Sequence, residues 1–115
     1  MKGSFEGIGQ WAATFACQDV SAGQAVKVSG SGTVAACASG DGFDGVALAV
    51  ARDGGACSVA MGGMVTAAYS GDTAPSAGWN ALKADGKGGV AVTSGGKQYL
   101  AVDVDAAAKT VTFVL

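Results

Sequence analysis

In short runs from about Val26 onward, apolar side chains recur at every second residue: Val46, Leu48 and Val50; Cys57, Val59 and Met61; Leu100, Val102 and Val104; Val111, Phe113 and Leu115. Successive side chains of an extended chain point to opposite faces, so each set predicts a strand with its apolar members on one side. Between the runs stand Gly30-Ser31-Gly32, Asp41-Gly42, Asp53-Gly54-Gly55, Asp85-Gly86 and Gly95-Gly96. Such residues tolerate the positive φ that tight hairpins require. Short strands joined by these turns predict an all-β chain, a small β-barrel or β-sandwich built from Gly-rich hairpins.

A repeat runs through this pattern. The stretch Ala22-Gly23-Gln24-Ala25-Val26-Lys27-Val28-Ser29-Gly30-Ser31-Gly32-Thr33-Val34 resembles Ala77-Gly78-Trp79-Asn80-Ala81-Leu82-Lys83-Ala84-Asp85-Gly86-Lys87-Gly88-Gly89-Val90 once a single-residue gap is allowed. A longer hairpin follows each copy, and the step from Val50 to Cys57 equals the step from Val104 to Val111. Two related hairpin pairs folded onto one core account for that spacing.

The N-terminal segment is different in kind. Phe5, Ile8, Trp11 and Phe15 place large apolar groups among Gly, Ser, Gln and Ala before the β pattern begins. Trp11 and Phe15 are spaced as neighbours on a short helix, without convincing caps. The expectation is an arm over residues 1–20 that meets a neighbouring molecule, followed by a single β domain over residues 21–115. A chain of 115 residues has room for one core and one function.

Charged residues make up 14% of the chain, against about 25% in ordinary globular proteins. The surface must therefore be built largely from Ala, Gly, Ser and Thr, while the density of Val argues against disorder. A net charge of -2, with Lys and Arg scattered, supplies no attraction to phosphate backbones or anionic lipid. No signal-peptide run opens the sequence, and no stretch approaches the ~20 apolar residues that span a bilayer. Neither nucleic acid nor membrane is expected as a partner, and synthesis in the cytosol is.

Groups for chemistry are sparse. There is no His, so the commonest general base and zinc ligand is missing. Most of the Asp residues adjoin Gly in predicted turns, where local hydrogen bonding to the backbone is their ordinary work. Asp41-Gly42-Phe43-Asp44-Gly45 and Asp103-Val104-Asp105 lack the spacing of a calcium loop. Gly30-Ser31-Gly32 and Gly86-Lys87-Gly88-Gly89 introduce no helix that would hold a phosphate. Cys17, Cys37 and Cys57 form no CxxC pair and leave one thiol over, which fits small buried apolar residues better than a disulfide framework. Trp79 and Tyr99 adjoin predicted strands, either as core or interface aromatics or as a platform for a sugar. No catalytic residue, metal ligand or cofactor site is expected, and the chain does not read as an enzyme.

The order Ala22-Gly23-Gln24-Ala25-Val26, Phe43-Asp44-Gly45-Val46-Ala47, Ala56-Cys57-Ser58-Val59-Ala60-Met61-Gly62-Gly63-Met64-Val65, Ala77-Gly78-Trp79-Asn80-Ala81-Leu82, Gly89-Val90-Ala91-Val92 and the closing hairpin from Leu100 to Leu115 resembles the head-decoration (capsid cement) proteins of tailed phages, of the lambda type. The resemblance spans the chain from Ala22 onward and rests on small and apolar residues. It implies a β-tulip-like fold and a homotrimer on the outside of the virion capsid, assembled in the host cytoplasm, with the major capsid protein and copies of itself as partners. An N-terminal arm carrying Phe5, Ile8, Trp11 and Phe15 would then contact the shell. Two other expectations stand beside it: another virion part such as a tail tube, fibre or spike subunit, and a small carbohydrate-binding β module using Trp79 and Tyr99.

Overall fold

A computed structural model of the chain describes residues 8–115, which form β-strands, turns and loops with no helix among them. The all-β architecture expected from the alternation is the one the chain adopts. Strands β1 (Trp11–Cys17), β2 (Ala25–Gly30), β3 (Thr33–Ala36), β4 (Gly45–Val50) and β5 (Ala56–Gly62) close into a barrel in the order β1-β3-β2-β4-β5. Strands β6 (Met64–Ala68), β7 (Gly78–Ala84), β8 (Val90–Val92), β9 (Gln98–Asp105) and β10 (Thr110–Val114) form a second sheet in the order β6-β10-β9-β7-β8.

The two sheets share one wiring. In the first, β1 pairs parallel with β3 and antiparallel with β5, while β2 joins β3 to β4. In the second, β6 pairs with β10, β7 joins β8 to β9, and the ends β6 and β8 meet only at a parallel bridge between Tyr69 and Val90. The register agrees as well: Val26, Lys27 and Val28 face Ala36, Ala35 and Val34, as Leu82, Lys83 and Ala84 face Val92, Ala91 and Val90. The repeat seen in the sequence is thus a duplicated five-stranded unit, the first half closed and the second nearly so.

Equivalent positions do equivalent work. Val26, Val34, Ala47, Cys57 and Val59 fill the first interior, and their counterparts Leu82, Val90, Ala101, Val111 and Phe113 fill the second. Each half also carries a β-bulge at the matching place. Ala47 and Ala49 pair with consecutive residues of β5, leaving Leu48 unpaired, and Ala101 and Asp103 do so against β10, leaving Val102 unpaired. An extra residue in a strand shifts the alternation by one. This corrects the expectation that Val46, Leu48 and Val50 share a face: Val46 points away from the first barrel's interior, Leu48 is exposed, and Val50 packs inward. Leu100, Val102 and Val104 are divided in the same way, with Val104 against the core.

A second correction concerns the N-terminal segment. Residues Trp11–Cys17, expected in an arm, are strand β1 and close the first barrel between β3 and β5. The preceding residues tie the two halves together. The Met64 amide donates to the carbonyl of Ile8 (3.0 Å), and the Gln10 side-chain amide donates to the carbonyl of Met64 (3.1 Å). The turn between the halves needs Gly63, whose φ is +84° and whose missing Cβ would strike the backbone of Gly9 and Gln10.

The halves meet through the outer side of the first. Ala25, Val46 and Ala60 are cross-strand neighbours on β2, β4 and β5. All three are buried in the same apolar cluster as the interior of the second half. Gly45 lets β4 pass there, since a Cβ would collide with the Ala60 carbonyl and the Val59 side chain. Phe43, from the loop before β4, enters the second half. Its ring stacks on Tyr99 at 4.9 Å and meets Phe113 edge-on at 5.8 Å.

Two outcomes follow. Gly45→Ala should destabilise the protein by about 2 kcal/mol or more through overpacking, whereas Gly42→Ala, which faces open space, should stay within about 0.5 kcal/mol; urea unfolding midpoints compare them. Removal of residues 1–17 takes out β1 and should abolish the near-UV circular dichroism of the native state, which a dispensable arm would leave intact.

Candidate interaction surface

The candidate residues fall into three environments. Phe5 lies outside the described residues. Ile8 and Trp11 are exposed, at 51% and 60%. The Trp11 indole lies over Gly62, where any side chain would displace it. Phe15 is different: partly buried, it packs against the cluster that holds Cys17, Cys57 and Val59 in the first barrel.

Trp79 and Tyr99 separate even more clearly. Trp79 pairs with Leu100 and Tyr99 with Asn80, so adjacent residues of each strand send the two rings to opposite faces of the sheet. Trp79 is 69% exposed, while Tyr99 is 3% exposed in the core. Burial first, and then the nearby Asp44 carboxylate, raise the Tyr99 hydroxyl above the usual phenol range. It stays protonated, within 3.5 Å of the Phe43 carbonyl that accepts from it. A sugar platform made from both rings is therefore ruled out by geometry.

The exposure of Trp79 does not come from a loose segment. Its neighbour Asn80 is buried and fully engaged: the amide nitrogen donates to the carbonyls of Ser76 (2.7 Å) and Gly78 (3.0 Å), and the oxygen accepts from the Ser76 amide. From Trp79 an apolar row crosses the sheet through Leu100 and Val114 to Met64, each paired with the next. A groove of about 180 Å³ opens along it, lined by Trp79, Lys97, Gln98, Leu100, Val114 and Leu115. The alternation alone misses this row, because it puts Leu100 on one apolar face with Val102 and Val104 and leaves Val114 outside the set Val111, Phe113 and Leu115.

Several acidic residues are occupied with turns. Asp85 accepts from the amides of Lys87 and Gly89 and from the Ser70 hydroxyl, Asp105 from the amides of Ala107 and Ala108, and Asp53 from Gly55. Asp41 bonds Lys27 at 2.7 Å and the Ala38 amide at 2.9 Å, and both contacts hold its carboxyl below the usual range. That contribution is present above the ordinary carboxylate pKa and is lost as the pH falls through the lowered one. A larger open cavity, about 650 Å³, is lined by Cys17, Gln18, Asp19, Ser29, Thr33, Asp53 and Gly54 among others, and its acids show no paired arrangement with a base.

The cysteines are free, Cys17 and Cys57 buried and Cys37 half-buried. Burial, reinforced by Cys17 beside it, pushes the Cys57 thiol up to about 11. A thiolate is the reactive form, so Cys57 is held inert.

The chain matches no protein-family model and no curated protein sequence.

At about pH 8, a small thiol reagent should modify Cys37 well ahead of Cys17 and Cys57, which should react only on unfolding. Because the Cys57 thiol is raised in the folded state, its contribution to stability is present below the ordinary value of 9.0 and is lost as the pH climbs toward 11. A Cys57→Ala variant should show a flatter fall in melting temperature over that window.

Proposed function

We propose that this chain is a non-enzymatic structural protein of a virion, a head-decoration protein that attaches to the outer surface of a phage capsid and stabilises it. The observation that carries the reading is the exposed pair Ile8 and Trp11, displayed on a weakly charged all-β body where the chain enters the first barrel. Large aromatics held open to solvent are the side chains that dominate protein contacts. The resemblance of the chain from Ala22 onward to phage decoration proteins supplies the identity of the partner, the major capsid protein.

The action is mechanical. A shell under internal pressure fails where subunits part, and a protein bridging those seams adds contact area that must be lost first. Burying apolar surface contributes about 25 cal/mol per Å², so even one Trp and one Ile per site matter. Several copies anchored together raise the effective concentration of each contact, and avidity then exceeds the affinity of one. With β1 committed to the barrel, attachment falls to the residues before and at its start, Phe5, Ile8 and Trp11.

Co-sedimentation with purified expanded phage heads tests this. The full protein should bind saturably, and Trp11→Ala should weaken binding about tenfold or more with an unchanged melting temperature. Attachment undiminished by Trp11→Ala rejects the assigned contact, and absence of binding to any head rejects the function.

A further inference from the structure

We infer that the chain associates head to tail with a second copy of itself, the Trp79 face of one copy docking on the β2–β3 hairpin of the next. This goes beyond capsid binding and does not depend on it, because it follows from comparing the two repeats.

Inside one chain the first repeat is already docked on the second, and the docking has two sides. The donor side is the row Ala25, Val46 and Ala60 with the loop that precedes β4. The row packs into the apolar cluster of the second repeat's interior, and beside it the β7–β8 hairpin is the acceptor side of the backbone contacts. There the Gly88 carbonyl accepts from the Ala25 amide (2.8 Å), and Ala84 exchanges backbone hydrogen bonds with Gly40 and Asp41 (2.9 and 2.8 Å). The hairpin turn is covered so closely that a Cβ on Gly86 would meet Ser39, and one on Gly88 would meet Gln24.

Each side has a counterpart that a single chain leaves open. The donor row of the first repeat corresponds, by the shared register of β4 with β5 and β9 with β10, to Leu100 and Val114 of the second. Where Val46 and Ala60 are 2% and 0% exposed, Leu100 and Val114 remain partly exposed, with Trp79 standing beside them at 69%. The acceptor hairpin corresponds to β2–β3. Ala84 is 4% exposed, whereas its equivalent Val28 is 48% exposed. Gly30 and Gly32, which match Gly86 and Gly88, have nothing within 4 Å of a built Cβ.

The same molecule thus presents two uncovered patches, one the counterpart of the donor row and the other the counterpart of the acceptor hairpin. Joining them continues an interface that already exists. Such a contact uses two different patches, so it is heterologous and either closes into a ring or extends as a filament.

The test is a complementation of two variants of the full protein, followed by sedimentation velocity. The wild type should form species larger than a dimer with rising concentration. Trp79→Lys and Val28→Lys should each weaken association at least about tenfold, with melting temperatures near that of the wild type. Mixed in equal amounts, the variants should form a heterodimer and go no further, since the mixture holds one intact donor face and one intact acceptor hairpin. A wild type that stays monomeric up to about millimolar concentration, either variant assembling like the wild type, or a mixture no more associated than its components would each overturn the inference. Because no capsid enters the assay, its failure leaves the shell-binding reading to its own test.

Discussion

The contact of Phe43 with Tyr99 and Phe113 is what makes two small repeats into one folded body. A five-stranded unit of this size has little interior, and small domains bury too low a fraction of their surface to be robust alone. Phe43 answers this by leaving its own repeat and completing the other's core: it is 5% exposed, yet every ring it touches belongs to the second half. Around it the polar backbone is satisfied across the junction, through Ala84 to Asp41 and Ala25 to Gly88. Aromatic stacking, apolar burial and backbone pairing therefore act at one place, and the Lys27–Asp41 ion pair holds the loop that carries them.

Side-chain size explains why duplicated wiring closes in one half and stops at a single bridge in the other. The first interior has Cys17, Cys57 and Val59 where the second has Tyr69, Val111 and Phe113, with Phe15 against Ala67 as the one exchange in the other direction among these. Interiors are packed at nearly constant density, so larger residues demand a wider enclosure. With Tyr69, Tyr99 and Phe113 inside, β6 and β8 are held apart except at Tyr69 and Val90, and the space is filled by Phe43 and by the flank of the first repeat. The interior of the closed half is filled by its own side chains, and that of the open half is completed by Phe43.

Much of this was legible in the sequence. Alternation and Gly-rich turns marked β5 and β10 correctly, and the repeat between 22–34 and 77–90 is a genuine duplication of hairpins. What escaped has identifiable causes. The bulges at Leu48 and Val102 shift the phase of β4 and β9, and an alternating run carries no mark of where its phase will break. Strand β1 was hidden because its inward residues, Phe15 and Cys17, stand among Ala12, Ala13, Thr14 and Ala16, small enough to blur any alternation, so the large residues alone suggested an arm. Tyr99 and Trp79 looked alike as aromatics beside strands, and only the pairing of β7 with β9 sends one inward and the other out.

That pairing also bears on what the surface can do. A large apolar ring left in water is ordinarily tolerated where it is mobile and costs the fold little. Trp79 is neither loose nor at a chain end, since three hydrogen bonds from the Asn80 side chain fix the segment that presents it. Trp11 is likewise seated, its indole lying on Gly62, a position where a side chain would push it away. The backbone that presents each ring is therefore ordered before it meets anything, which lowers the entropy that a partner must overcome on binding. On a chain whose charged groups are few, and where Asp41, Asp44, Asp53, Asp85 and Asp105 are engaged by backbone amides, exposed aromatics are the surface groups with the most free energy to gain from contact.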